Sequence, residues 1–149
     1  MRIYIDADHN GFDLKHRLIQ YLEHGGHEVH DLGTVVRDGD DDYPDAAERV
    51  SRALLADHGK EARGLLLCGS GQGICIAANR FKGIRAGLAV DNRSVQSARN
   101  DDDINVLCLP ANYLDYEKAR TLVHTFLRTE FAAAARYVRR AKKLDGLGV

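Results

Sequence analysis

Gly64 to Arg80, GLLLCGSGQGICIAANR, sets the reading of the whole chain: an apolar run that ends in Cys68 and breaks at once into Gly69, Gly71 and Gly73. Gly64 to Leu67 is apolar on both faces and too short for a buried helix, which predicts a fully buried strand. Ile74 to Arg80 predicts a helix. Between them the glycines carry no side chains, so backbone N–H groups can approach a ligand at the helix N-terminus, and the loop is an anion site by construction. Cys68 stands at the carboxyl end of the strand, beside the positive end of the helix dipole. There a thiol is expected to lose its proton more easily than its ordinary value of about 8.5 implies. The plain alternative is an inert strand cysteine, since free cysteine is among the most buried residue types.

Single positions exclude the commoner glycine-loop chemistries. No lysine follows Gly73, as nucleotide-binding P-loops require. The spacing Gly69-Ser70-Gly71-Gln72-Gly73 lacks the third glycine of the dinucleotide pattern and sits on a mid-chain strand. A Cys-x5-Arg phosphatase would need arginine at the position held by Ile74.

With 149 residues the chain is read as one domain, residues 1–149, large enough for a core without metal or disulfide staples. Its net charge of -1 gives no reason to expect nucleic acid or an anionic membrane as partner. No signal peptide and no apolar run of about 18 residues is seen, so the chain is expected to begin at Met1 in the cytoplasm. The three cysteines, Cys68, Cys75 and Cys108, are an odd number in core-like segments, and are expected to be reduced.

Strand and helix alternate along the rest, which predicts an α/β fold: a doubly wound, Rossmann-like three-layer sandwich on a five-stranded parallel sheet. The predicted strands are 2–7, 28–32, 64–67, 86–90 and 106–109. The predicted helices are 12–24, 44–58, 74–80, 93–100, 116–127 and 131–144. Pro44 is placed to open the second helix, after a polar loop at Asp38 to Asp42.

Ligands of such sheets bind beyond the carboxyl ends of the strands. Asp8, His9, Asn10 and Gly11 follow the first strand, and Tyr43 the loop after the second. Cys68 and Ser70 follow the third, Asp91, Asn92 and Arg93 the fourth, and Asn112 the fifth. Asp101 and Asn105, just before the fifth strand, are expected to join them on this edge. Carboxylates, an imidazole, a thiol, a phenol and an anion loop together suit proton transfer on a small polar anion. His24, His27 and His30 are split by Gly25 and Gly26, which argues against a shared metal, and Asp38, Asp40 and Asp42 lack the closing glutamate of a calcium loop. No metal or cofactor is expected. Arg139, Arg140, Lys142 and Lys143 read as a solvated or subunit-facing stripe.

ADHNGFDLK from Ala7 to Lys15, DYP at Asp42 to Pro44, LLLCGSGQGICIAANR, GIRAGLA from Gly83 to Ala89 and NVL from Asn105 to Leu107 resemble the ribose-5-phosphate isomerase B family, which includes the galactose-6-phosphate isomerase subunits. The resemblance implies metal-free aldose–ketose isomerisation of a sugar phosphate, in a homodimer or a tetramer of paired dimers, whose sites lie between subunits. It makes Cys68 the base that moves a proton between adjacent carbons through a cis-enediolate. Ser70 and the amides of Gly69, Gly71 and Gly73 then hold the oxyanion. Asp8 contacts a sugar hydroxyl or the ring oxygen, Tyr43 lines the pocket and His9 is in place for the phosphate. Arg136 and Arg140, on the C-terminal helix, reach the phosphate of the partner's site.

Three positions depart from the family. Asp101, in RNDDDINVL, stands where the family usually has a ring-opening histidine, with Asp102 beside it as a substrate contact. Asn112 occupies the place of a phosphate-binding arginine, and Tyr137 that of a histidine. An aspartate, with an ordinary pKa of about 3.9, is a poor acid at neutral pH unless burial raises it. Ribose 5-phosphate and ribulose 5-phosphate are the substrate pair the resemblance implies, and the Asp101 departure adds as an alternative a substrate that needs no ring opening, such as a tetrose 4-phosphate. A hexose 6-phosphate, a non-catalytic sugar-phosphate-binding subunit and a thiol-dependent phosphatase are the other readings.

Overall fold

A computed structural model of the protein describes residues 1–59 and 61–148. Five strands, β1 (Arg2–Ala7), β2 (Glu28–Asp31), β3 (Ala62–Cys68), β4 (Ala86–Leu88) and β5 (Val106–Pro110), form one sheet in the order β2-β1-β3-β5-β4. Every pairing is parallel, as the sequence predicts. The helices are α1 (Phe12–His24), α2 (Tyr43–Ala56), α3 (Gln72–Ala78), α4 (Asn92–Asp102), α5 (Tyr116–Arg128) and α6 (Ala135–Asp145).

The two faces of β3 explain the three layers. Successive strand residues point to opposite sides, so Leu65 and Leu67 pack with Leu18, Leu22, Val95 and Phe126 under α1, α4 and α5. Leu66 and Cys68 point the other way, into a core with Val50, Ile74 and Cys108 under α2 and α3. That parity fixes the face on which the thiol emerges. Asp91 caps α4 by accepting from Ser94 N–H at 2.7 Å, and Asp115 caps α5 by accepting from Lys118 N–H at 2.8 Å. The functional reading of Asp91 therefore gives way to a capping one.

Several boundaries differ from the sequence prediction. Helix α3 begins at Gln72, two residues early, because Gly71 already takes the N-cap position with φ 73°. Strand β4 ends at Leu88, and Val90 is largely exposed. The final helix begins at Ala135, not at Phe131. Ala133 takes a left-handed φ of 50°, and Ala132 N–H donates to Asn100 O at 3.1 Å instead of to its own helix. The alanine run has the propensity for a helix, but here the chain must turn a corner onto α4.

Candidate active site

Cys68 closes β3 with 4% of its surface exposed, and the backbone amides of Ile74, Gly71 and Ser70 lie near enough to its sulfur to favour the thiolate. Gly71 makes the nest possible. A side chain there would strain the positive φ and would sit 2.6 Å from Leu88 Cδ1. Ser70 is exposed, and its Oγ accepts from Gln72 N–H at 3.3 Å.

The expectation of an acidified thiol is overturned. Burial pushes the Cys68 thiol up from its ordinary value, the three amides pull it down without prevailing, and the charge of Asp8 adds to the rise. A sulfur this enclosed loses more hydration as a thiolate than the helix end returns.

Asp8 follows β1, 6% exposed, and its Oδ1 accepts from Asn10 N–H at 2.9 Å and Gly11 N–H at 3.3 Å. His9 is held by a residue of the polar loop that the sequence did not single out: Asp41 Oδ1 accepts from His9 N–H at 2.9 Å and lies 2.7 Å from His9 Nδ1. This contact raises the His9 pKa above its ordinary value. The phenol of Tyr43 lies over Gly73, whose absent Cβ would stand 2.6 Å from Tyr43 Cζ. Asn112 N–H donates to Gly69 O at 3.0 Å, and the Asn112 and Asn10 amides both flank Gly69.

Beneath this edge lies a buried charge network. Lys15, with no exposed surface, donates to Asp31 Oδ1 at 2.7 Å, while the equally buried Asp6 accepts from Arg49 Nε at 2.8 Å and Ala7 N–H at 2.7 Å. The network ties β1, β2, α1 and α2 together two residues upstream of Asp8. Cys75 and Cys108 serve the core: Cys108 is fully buried, and Cys75 Sγ donates to Ala86 O at 3.5 Å. His24 pairs with Gln20 O and His30 with Glu28 and the Tyr4 ring, while His27 Nδ1 is buried with no hydrogen-bond partner among the described residues, so the three spaced histidines share no partner.

Asp101, Asp102 and Asn105 do not join this edge. In a parallel sheet the residues that precede a strand lie at its amino end, and α4 carries the chain there from the carboxyl end of β4. Asp101 Oδ1 accepts from Asn100 Nδ2 at 2.7 Å, and Asp102 O accepts from Arg85 Nε at 3.1 Å. Asn105 clamps the start of β4, accepting from Arg85 N–H at 2.8 Å and donating to Gly83 O at 2.8 Å. Helix α6 sits at this opposite edge too, packed on α4 and tied by Asp145 to Arg85 Nη1 at 2.8 Å. Arg136 and Arg140 are exposed there, and the Arg136 guanidinium stacks on the Tyr137 ring with its carbon 4.4 Å from the centroid.

Fold and site together define a doubly wound α/β domain whose carboxyl edge brings together one strand-end thiol, a carboxylate and a glycine-rich loop. The chain belongs to the ribose/galactose isomerase family, whose profile matches residues 3–144. A probable ribose-5-phosphate isomerase B of Mycoplasma pneumoniae is 40% identical over 142 residues, 95% of this chain and 91% of the relative. Ribose-5-phosphate isomerase B of Mycobacterium tuberculosis is 36% identical over 140 residues, 94% of this chain and 85% of that protein. The Thermotoga maritima ribose 5-phosphate isomerase structure superposes with a TM-score of 0.91 at 40% identity, covering 98% of both chains. The Mycoplasma genitalium ribose-5-phosphate isomerase B, solved with bound ribulose-5-phosphate, superposes at 0.86 with 34% identity, covering 97% of this chain and 94% of its own. No helix among the described residues is long and apolar enough to cross a membrane.

Proposed function

We propose that the protein is an aldose–ketose isomerase of sugar phosphates, with ribose 5-phosphate and ribulose 5-phosphate as its substrate pair. The observation that carries this reading is the Cys68 sulfur, set at a strand end among three backbone N–H groups beside the Asp8 carboxylate. Isomerisation takes a proton from the carbon next to the carbonyl and returns it to the neighbouring carbon, and one base can do both. Cys68 as thiolate is that base. The Ser70 hydroxyl and the N–H groups of the Gly69–Gly73 loop face the enediolate oxygens, where each donor is worth about 3 kcal/mol. Asp8 meets a sugar hydroxyl, and the Tyr43 ring closes the pocket over Gly73.

The phosphate partners come from a second copy of the chain. Arg136 and Arg140 stand at the amino edge, across the sheet from Cys68, so a site containing both edges is assembled between subunits of a homodimer. Asp101 and Asp102 reach substrate by the same route. A reduced compartment, the cytoplasm, suits an enzyme whose base is a free thiol.

The reading is tested by incubating the purified protein with ribose 5-phosphate and following ribulose 5-phosphate. Cys68→Ser is expected to lower turnover about 10²–10⁴-fold with substrate binding largely kept. Release of inorganic phosphate in place of the ketose would make the protein a phosphatase.

A further inference from the structure

The Asp41–His9 pair has the geometry of an oriented acid, which the phosphate contact implied for His9 does not call for. Two hydrogen bonds from one residue converge on one carboxylate oxygen, His9 N–H at 2.9 Å and Nδ1 at 2.7 Å, so the ring plane and its Nδ1–H are fixed. Nε2 is turned the other way, 3.2 Å from Asn10 Nδ2. Asn10 in turn flanks Gly69, whose absent Cβ would lie 3.3 Å from that nitrogen. His9 Nε2 thus lies one side chain, Asn10, away from the loop that follows Cys68. The His9 and Asp41 side chains keep 34% and 26% of their surface, so the pair is open to a ligand.

Resting on the isomerase reading, we propose that His9, held by Asp41, is the acid that opens the furanose ring of the substrate, with Asp41 as its positioning residue. Ribose 5-phosphate must lose its ring before Cys68 can act. In that step the bond between C1 and the ring oxygen breaks, its electron pair stays on the ring oxygen, and that oxygen takes the proton from His9 Nε2. The C1 hydroxyl gives its proton to Asp8 Oδ2, and its O–H electron pair becomes the second bond of the aldehyde. Among the described residues no group donates to Asp8 Oδ2, since Asn10 and Gly11 both donate to Oδ1. Solvent then returns the proton from Asp8 to His9. Facing His9 are Asp41 and Asp8, which favour its cation, and Arg37, which opposes it. Asn10 can turn its carboxamide to accept from a charged ring or donate to a neutral one.

Ribulose 5-phosphate separates the steps, because its esterified terminal oxygen prevents a furanose ring. Deuterium wash-in from solvent at its C1 reads enediolate formation alone. His9→Asn is expected to lower kcat/KM for ribose 5-phosphate about 10²-fold, and Asp41→Asn about tenfold, with wash-in within about threefold of wild type. Asp41→Asn is also expected to move the alkaline limb for ribose 5-phosphate to lower pH, and Asp41→Glu to restore it. Equal losses in both assays would make His9 a phosphate contact or a structural residue and overturn the proposal. If wild type shows no wash-in, the isomerase reading itself falls, and this inference with it.

Discussion

The Tyr43 ring rests directly on Gly73: a Cβ at that glycine would lie 2.6 Å from Tyr43 Cζ and 2.8 Å from Cε2. Tyr43 opens α2 and Gly73 lies in the first turn of α3, so the contact couples the loop after β2 to the anion nest. Gly73→Ala must push the phenol outward. Because Tyr43 is 40% exposed it can move without unfolding the domain. We expect kcat/KM to fall about tenfold or more, mainly through KM, with a far-ultraviolet dichroism spectrum like that of wild type. A variant with wild-type KM would show that Tyr43 does not border the substrate.

Burial sets the pH dependence of the proposed base. The Cys68 thiol lies above its ordinary value because burial outweighs the Ile74, Gly71 and Ser70 amides, and Asp8 pushes the same way. The reactive form is the thiolate, whose fraction grows as pH rises toward that raised value. Wash-in at ribulose 5-phosphate should therefore climb through neutrality into the alkaline range. Ribose 5-phosphate turnover should bend down sooner, where His9 loses its proton. Asp8→Asn removes one cause of the rise, so alkylation of Cys68 by iodoacetamide should begin at lower pH. An unchanged alkylation profile would exclude Asp8 as a neighbour of the thiolate.

The strand–turn–helix around Cys68 was legible because its signals are local: an apolar run of strand length, then glycines, then a helix period. The sequence also placed Asp8, Tyr43 and the loop glycines together, since each follows a strand or opens the helix beside it. Three features were not legible. His9 and Asp41 meet across 32 positions, and no spacing rule links them. Asp101 was assigned to the wrong edge by its nearness to β5 in sequence, although residues before a parallel strand lie at its opposite end. The thiol's direction of shift depends on enclosure by α2 and α3, a tertiary property that the glycine pattern does not encode.

The buried network under the site makes a stability prediction. Lys15 has no exposed surface and pairs with Asp31, whose side chain keeps 27% of its own. Lys15→Met removes a charge whose partner can recover water, so the cost should fall at the lower end of the about 3–5 kcal/mol of a broken buried pair. The urea midpoint reports it, with the slope unchanged. A midpoint equal to wild type would mean that desolvation of the ammonium already cancels its pairing.

The proposed assembly of the site across subunits has an arithmetic consequence. In an exchanged mixture of Cys68→Ser and Arg136→Ala chains, half of the dimers are mixed, and each mixed dimer holds one site with both groups intact. Activity should recover to about a quarter of wild type, from two nearly inactive parents. No recovery after verified subunit exchange would place Cys68 and Arg136 in the same subunit's site.

The last prediction sets His9 against Asp101 as the ring-opening group. Asp101 stands at the amino edge, partly open, with Oδ1 already accepting from Asn100. It would reach a substrate only from the partner subunit. If His9 supplies the proton, Asp101→His should leave kcat/KM for ribose 5-phosphate within about twofold of wild type. The ratio to a tetrose 4-phosphate, which cannot close a furanose ring, should stay where it is. If ring opening belongs to position 101, the histidine should raise ribose 5-phosphate turnover about tenfold and leave the tetrose untouched. That second outcome would show the wild-type chain to be slow on rings and suited to acyclic sugar phosphates, and it would return His9 to the phosphate.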